Sequence, residues 1–189
     1  MTEAKQKFDA SVVRRPLLAA ALAAAAVAPA PAMAAFDAFL KLDDIVGESN
    51  VKLFPQWINL HDFEVGFNAG LTKRGAAGGA GPGKPSCGEF KLTKRIDRAS
   101  PPLLLATMSG KHFQKAEIHF RRSSESSEAF LKYELQNVMV SSLGESGGSG
   151  DDAPTESLSL NFTKATIMYS PMNVDGKPGE PVSATVSCP

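Results

Sequence analysis

The sequence predicts a mainly β domain carrying one short α-helix, and three observations lead there. Apolar and polar residues alternate with period two in several short runs beyond residue 35, two longer runs change the parity of their apolar face, and only one segment carries helix start and stop signals. In the first run Phe36, Ala38, Leu40 and Leu42 alternate with Asp37, Lys41 and Asp43, and Phe39 alone breaks the pattern. Residues 56–67 form a second strand region with Phe63, Val65 and Phe67 on one face. Phe90, Leu92 and Ile96 mark a third, and Ala116, Ile118 and Phe120 a fourth. A serine-rich turn at 123–127 leads into a long strand over 128–142, whose apolar face passes from Leu131, Tyr133 and Leu135 to Val138 and Val140. Leu158, Leu160 and Phe162 give way to Ile167 and Tyr169 in the same manner, and Val182, Ala184 and Val186 supply a last short strand. One extra residue changes parity within a continuous strand, so β-bulges are predicted in both long runs. The helical segment reads Ser100 as N-cap, Pro101 as first helical residue, Leu103 to Met108 as helix formers and Gly110 as the stop. So short a helix persists only when docked on the sheets.

Composition sets the broad class. The chain has 189 residues, 20 basic and 20 acidic, with 43% hydrophobic and 21% charged side chains. That balance excludes a wholly disordered chain, and the absence of a glycine period or a sustained heptad excludes collagen-like and coiled-coil classes. Neutral charge argues against a basic nucleic-acid binder. Two cysteines are too few for a disulfide scaffold or a four-thiolate zinc site. Residues 1–34 read as a leader. Lys5, Lys7, Arg14 and Arg15 precede an apolar run from Leu17 to Ala28, then Pro29, Pro31 and Ala32-Met33-Ala34. This is signal-peptide order, twin-arginine-like at Arg14-Arg15, and the run is too short for a membrane anchor. Two readings stand open: a cleaved leader with a domain at 35–189, or a true start at Met33 and a cytoplasmic protein.

Few residues carry chemistry. Gly78-Gly79-Ala80-Gly81-Pro82-Gly83-Lys84 has Walker-loop spacing, but Pro85 follows where Ser or Thr would hold magnesium, so a hairpin loop is expected. His61, His112 and His119 have no metal-ligand spacing, and His119 reads as an outward-facing strand residue. Asp151-Asp152 lacks further spaced ligands for calcium, nothing resembles a nucleophile elbow, and no cofactor or enzymatic activity is implied. Loops at 75–85 and 144–154 are rich in Gly, Ser, Asp and Pro and are expected to be exposed. Cys87 precedes one strand and Cys188 follows another. If those strands are antiparallel neighbours the cysteines share one end of the sheet, which predicts a Cys87–Cys188 disulfide in an exported protein. Charge is also uneven. Residues 73–98 hold seven basic side chains against two acidic, and residues 123–156 hold seven acidic against one basic. Opposite patches on one subunit are expected to attract between copies.

A resemblance extends this reading. Phe36-Asp37-Ala38-Phe39-Leu40-Lys41-Leu42-Asp43-Asp44-Ile45-Val46-Gly47-Glu48-Ser49 resembles the opening of the haemolysin-coregulated protein (Hcp) family, tube subunits of bacterial type VI secretion systems. Asp97 through Ser100-Pro101-Pro102-Leu103-Leu104-Leu105 to Gly110-Lys111-His112 resembles that family's helix and following turn. Residues from Gly147 through Asp151-Asp152 to Phe162 resemble its late loop and strand. The resemblance implies a compact antiparallel β-barrel of two curved sheets with one short helix near residues 101–109. It further implies hexameric rings stacking into a tube, small effectors in the lumen, sheath and spike partners, and no catalytic residues. Ser149, Gly150, Asp151 and Asp152 then become candidates for ring-to-ring contact, with the basic stretch 91–98 near the helix. The leader departs from this pattern, because tube subunits leave through the contractile machine. An exported Hcp-like barrel with a binding or structural role and no tube is the alternative.

Overall fold

The computed structural model describes residues 36–72, 81–123, 128–174 and 178–188; the expected leader and the first three residues of the Walker-like stretch, 78–80, lie outside them. In chain order the elements are β1 (Phe36–Leu42), β2 (Ile58–Leu60), β3 (Asp62–Glu64), β4 (Phe67–Asn68), β5 (Leu71–Thr72), β6 (Gly81–Pro82), β7 (Ser86–Cys87) and β8 (Phe90–Arg95). There follow α1 (Ser100–Ser109), β9 (His112–Arg122), β10 (Ala129–Ser146), β11 (Thr155–Asn161), β12 (Lys164–Tyr169) and β13 (Val182–Ser187). The principal sheet is antiparallel with order β2-β1-β9-β10-β11-β8-β3, and β12 and β13 extend from β10. The class is the mainly β, one-helix fold that the sequence predicts.

The sheet curls because its two end strands are neighbours in the chain. Segment 58–64 pairs with β1 through β2 and with β8 through β3, and the His61 amide between them donates to Thr93 O at 2.7 Å. The ladders do not close into the barrel that the resemblance implies; the sheet is an incompletely hydrogen-bonded barrel in which this segment carries the chain from one edge to the other. Beyond β3, two further ladders, β4 with β7 and β5 with β6, continue outward as an interrupted arm.

Both parity changes occur at one corner. Gln136 faces Lys164 and Met139 faces Asn161, so Asn137 and Thr163 turn opposite each other without altering the register between β10 and the 155–169 segment. Asn137 adopts φ 51°, the left-handed region that Asn tolerates, and its Nδ2 donates to Thr163 Oγ1 at 3.0 Å. The corner therefore stands where the second bulge is predicted, in the 158–169 run, and only β10 carries register shifts among the described residues. The register shifts of β10 lie between Val140 and Ser142 against β11, and between Ala129 and Leu131 against β9. Apolar parity located the bend but not the mechanism that makes it.

Inside the curled sheet Leu40, Ile58, Phe90, Leu92, Ile118, Leu135, Val138, Leu158 and Leu160 are buried with Leu103 and Ala106 of the helix. Phe39, which breaks the alternation of β1, belongs to a second cluster on the opposite face. It stacks on Phe54 at 4.6 Å between ring centroids, and Phe54 meets Trp57 at 5.2 Å. Segment 46–57 is folded down over β1 by Gly47 N to Gln56 O and Ser49 N to Trp57 O bonds, 2.8 and 2.9 Å long. A Cβ on Gly47 would lie 2.4 Å from Trp57 O, so only glycine fits this crossing.

The helix begins differently from expectation. Ala99 stands at the N-cap, and Ser100 is the first helical residue. Ser100 Oγ is drawn into a buried charge cluster. It donates to Glu156 Oε2 at 2.9 Å and accepts from the Asp97 amide at 3.1 Å. Lys94 Nζ lies 2.7 Å from Glu156 Oε2, 2.8 Å from Asp97 Oδ1 and 2.9 Å from Arg95 O, and both the Lys94 and Glu156 side chains are fully buried. Asp97 Oδ1 also accepts the Ala99 amide, ordering the first turn. Gly110, at φ 62°, ends the helix in the left-handed conformation as expected.

A buried ion pair is costly to break from one side, because the remaining charge loses its counter-charge. Lys94→Met alone is expected to destabilise the domain by about 3–5 kcal/mol in urea unfolding, and adding Glu156→Leu is expected to recover most of that loss.

Candidate functional site

The loop singled out for ring-to-ring contact caps the hairpin of β10 and β11, where Gly144 to Gly150 are mostly exposed. Asp151 turns its carboxylate back on the loop: Oδ2 accepts the Gly148 amide at 2.7 Å, and the Asp151 amide donates to Gly148 O at 3.1 Å. It shapes the turn. Asp152 points outward, with Oδ2 only 3.8 Å from Arg95 Nη2 of the same chain. Ser149 and Gly150 are exposed beside it.

This geometry revises the expected charge separation. The basic and acidic stretches meet within one subunit, because β8 and β11 are antiparallel neighbours that set Lys94 opposite Glu156 and Arg95 opposite Thr155. At these positions separation along the sequence becomes adjacency in space, with Lys94 paired to Glu156 and Arg95 beside Asp152. The signal was present in the strand period, since Lys94 shares parity with Phe90 and Leu92, and Glu156 shares it with Leu158 and Leu160.

The opposite flank is apolar. Among the described residues β13 pairs only with β12, and all six of its residues are exposed. None of them is charged, which leaves a bare edge where proteins usually place Lys or Pro to block pairing. Between this hairpin and the arm lies a groove of about 260 Å³ lined by Val65, Phe67, Tyr133, Ile167, Ala184 and Val186. Leu104, Leu105 and Met108 form a separate exposed apolar face on α1. Strand alternation alone did not single out these surfaces, because it records which residues share a face and not whether that face is covered.

Cys87 and Cys188 are disulfide-bonded, with Cα atoms 5.5 Å apart. The strands that motivated this pairing are not neighbours: β13 pairs with β12, and β8 lies between β11 and β3. The arm brings Cys87 to the end of β13 instead, and the Cys188 amide donates to Thr163 O at 2.7 Å.

The remaining candidates do not form a chemical site. No group of three or more His, Cys, Asp and Glu side chains is arranged for a metal ion among the described residues. Among the same residues no helix is long and apolar enough to cross a membrane. His61 and His112 are exposed. His119 lies on the outer face of β9 as expected, but the 46–57 segment covers it. Its ring is 4.8 Å from Trp57 and 5.7 Å from Phe54 between centroids. Burial there pushes its pKa down to about 4, against the opposing pull of the Glu117 carboxylate, and Lys132, Lys115 and Lys41 push in the same direction as burial.

Comparison with known proteins decides what such a barrel is. The family described as type VI secretion system effector, Hcp, matches residues 39–169. The chain belongs to the Hcp family. Protein hcp1 of Pseudomonas aeruginosa is 35% identical over 150 residues, spanning 78% of this chain and 92% of the relative. A solved structure of a type six secretion system protein superposes with a TM-score of 0.76 at 30% identity, covering 81% of this chain and 96% of that one. Hcp1 from Salmonella typhimurium gives 0.67 at 28% identity, with 81% and 95% covered. This Hcp protein is thus a type VI secretion protein built on the curled sheet, helix and tip hairpin described above.

Two measurements test the geometry. His119 has an ordinary pKa of 6.5 when unfolded and about 4 when folded, so between these values the unfolded chain binds more protons. Stability is expected to be full above the unfolded value and to fall as pH drops through that window, and His119→Gln is expected to flatten this slope in urea unfolding. The denatured, unreduced protein is expected to titrate no free thiols, and two titratable thiols would contradict the bond.

Proposed function

We propose that this chain is a type VI secretion tube subunit that assembles into hexameric rings, and that the rings stack into a tube carrying small effectors. The observation that carries this reading is the family match over residues 39–169, which spans the barrel from β1 through β12. The exposed surfaces suit assembly better than catalysis. An uncharged edge strand and an apolar face favour lateral contact with a second copy, and the tip of the β10–β11 hairpin favours axial contact through Ser149, Gly150 and Asp152. In this reading the lumen accepts effectors, and the sheath and spike are further partners.

A second reading has one observation in its favour. Disulfides persist in oxidising compartments, and Cys87–Cys188 fits an exported Hcp-like barrel with a binding or structural role outside the cytoplasm. Cell fractionation with sizing separates the two. A cytoplasmic hexamer released through the type VI apparatus supports the tube, and a periplasmic monomer supports the exported barrel.

Axial contact is tested at the tip. Asp152→Lys spares the turn that Asp151 shapes and is expected to leave rings intact while reducing stacked tubes several-fold in electron micrographs; reversing Asp151 as well is expected to reduce them further. Undiminished stacking in the double variant would remove the tip from the ring-to-ring contact.

A further inference from the structure

The arm and the edge strand are held together by very little besides sulfur. The β4–β7 ladder pairs only Phe67 with Cys87 and Asn68 with Ser86, supported by a Gly88 amide bond to Gly66 O at 2.7 Å. Phe67, Asn68 and Ser86 are exposed. Among the described residues strand β13 has one ladder, to β12, and all six of its residues are exposed. No ladder joins the arm to β13 among the described residues; both line the apolar groove, and the disulfide links Cys87 of β7 to Cys188 just beyond β13. Neither cysteine is fully buried, so a reductant has access.

We propose that Cys87–Cys188 is a redox latch. Opened by a dithiol reductant, it lets the β4–β7 part of the arm and β13 separate over the groove while the rest of the barrel stays folded. One thiolate of the reductant attacks a cystine sulfur, the protein S–S bond breaks, and the departing cysteine takes up a proton. The second thiol of the reductant then attacks the reductant's own sulfur in the mixed disulfide and expels the other protein cysteine, which takes up a proton in turn. The protein gains two electrons and two protons, and the dithiol becomes a disulfide. Both cysteines pack against the core, and the Cys188 amide reaches the Asn137–Thr163 corner through Thr163 O. The Lys94–Glu156 pair and the β1–β2 and β3–β8 ladders include neither cysteine, so the rest of the sheet has constraints of its own. A chain that passes from a reducing to an oxidising compartment meets both states, a consequence that rests on the secretion reading; the opening itself does not.

Hydrogen exchange on the full chain tests this, comparing the oxidised protein, the protein in excess dithiothreitol, and the C87S/C188S variant. Amides at 66–68, 86–88 and 182–188 are expected to exchange about tenfold faster or more in the reduced and variant proteins. Those of β9 and the centre of β10 are expected to stay within about twofold. Unchanged exchange at the arm and β13 would show that the ladders hold without the bond. Uniform acceleration would make the bond a staple of the whole domain. Either result overturns the latch. Sizing the same samples reports separately on assembly, so absence of rings in every state counts against the tube and leaves the exchange result standing.

Discussion

The fold depends first on burying one ammonium. Lys94 can enter the interior only because Glu156, Asp97 and the Arg95 carbonyl close around it, and each partner belongs to a different structural task. Glu156 fixes the register of β8 against β11. Asp97 orders the turn into the helix through the Ala99 amide, and the Ser100 hydroxyl ties the first helical residue to the Glu156 carboxylate. The base of the tip hairpin, the central ladder and the start of α1 thus share a single electrostatic centre. Apolar packing of Leu103 and Ala106 then seats the helix, but its position along the sheet is set by charge.

Curvature comes from two backbone devices. Segment 58–64 changes partners at His61, and β10 bends with its neighbour at Asn137 and Thr163. Neither device consumes apolar surface. The first carries the chain across the opening of the sheet, and the second lets one strand join β9 along one side while serving β11 and β12 in turn along the other. The arm and the tip hairpin both extend from strands whose bases are fixed by these constraints.

Much of this was legible in the sequence. Period-two alternation gave the strands, Gly110 gave the helix stop, and the parity changes of 135–138 and 162–167 marked the corner. Phe39 broke the alternation of β1 for a reason, since it serves a separate aromatic cluster beneath Phe54 and Trp57. The rest required partners from distant segments. Ser100 has the chemistry of an N-cap, yet a buried carboxylate outcompetes the helix for its hydroxyl. Lys94 has the parity of a core residue and the composition of a surface one. The cysteines were paired from an assumed strand adjacency that the topology does not contain. Asp151 and Asp152 look equivalent in sequence, but one builds the turn and the other faces outward.

The separation of the buried pair has a kinetic side. Lys94 and Glu156 stand 62 residues apart, and a charge is not stripped of water ahead of its counter-charge. Strand β8 therefore has reason to remain hydrated until β11 arrives beside it, after the helix and the β9–β10 pairing between them have been made. Non-local pairing of this kind slows folding. It also acts as a checkpoint: Asp97 gives Lys94 a local counter-charge, but an inward-facing lysine remains a poor match for any apolar partner strand, and β11 is the neighbour that brings Glu156.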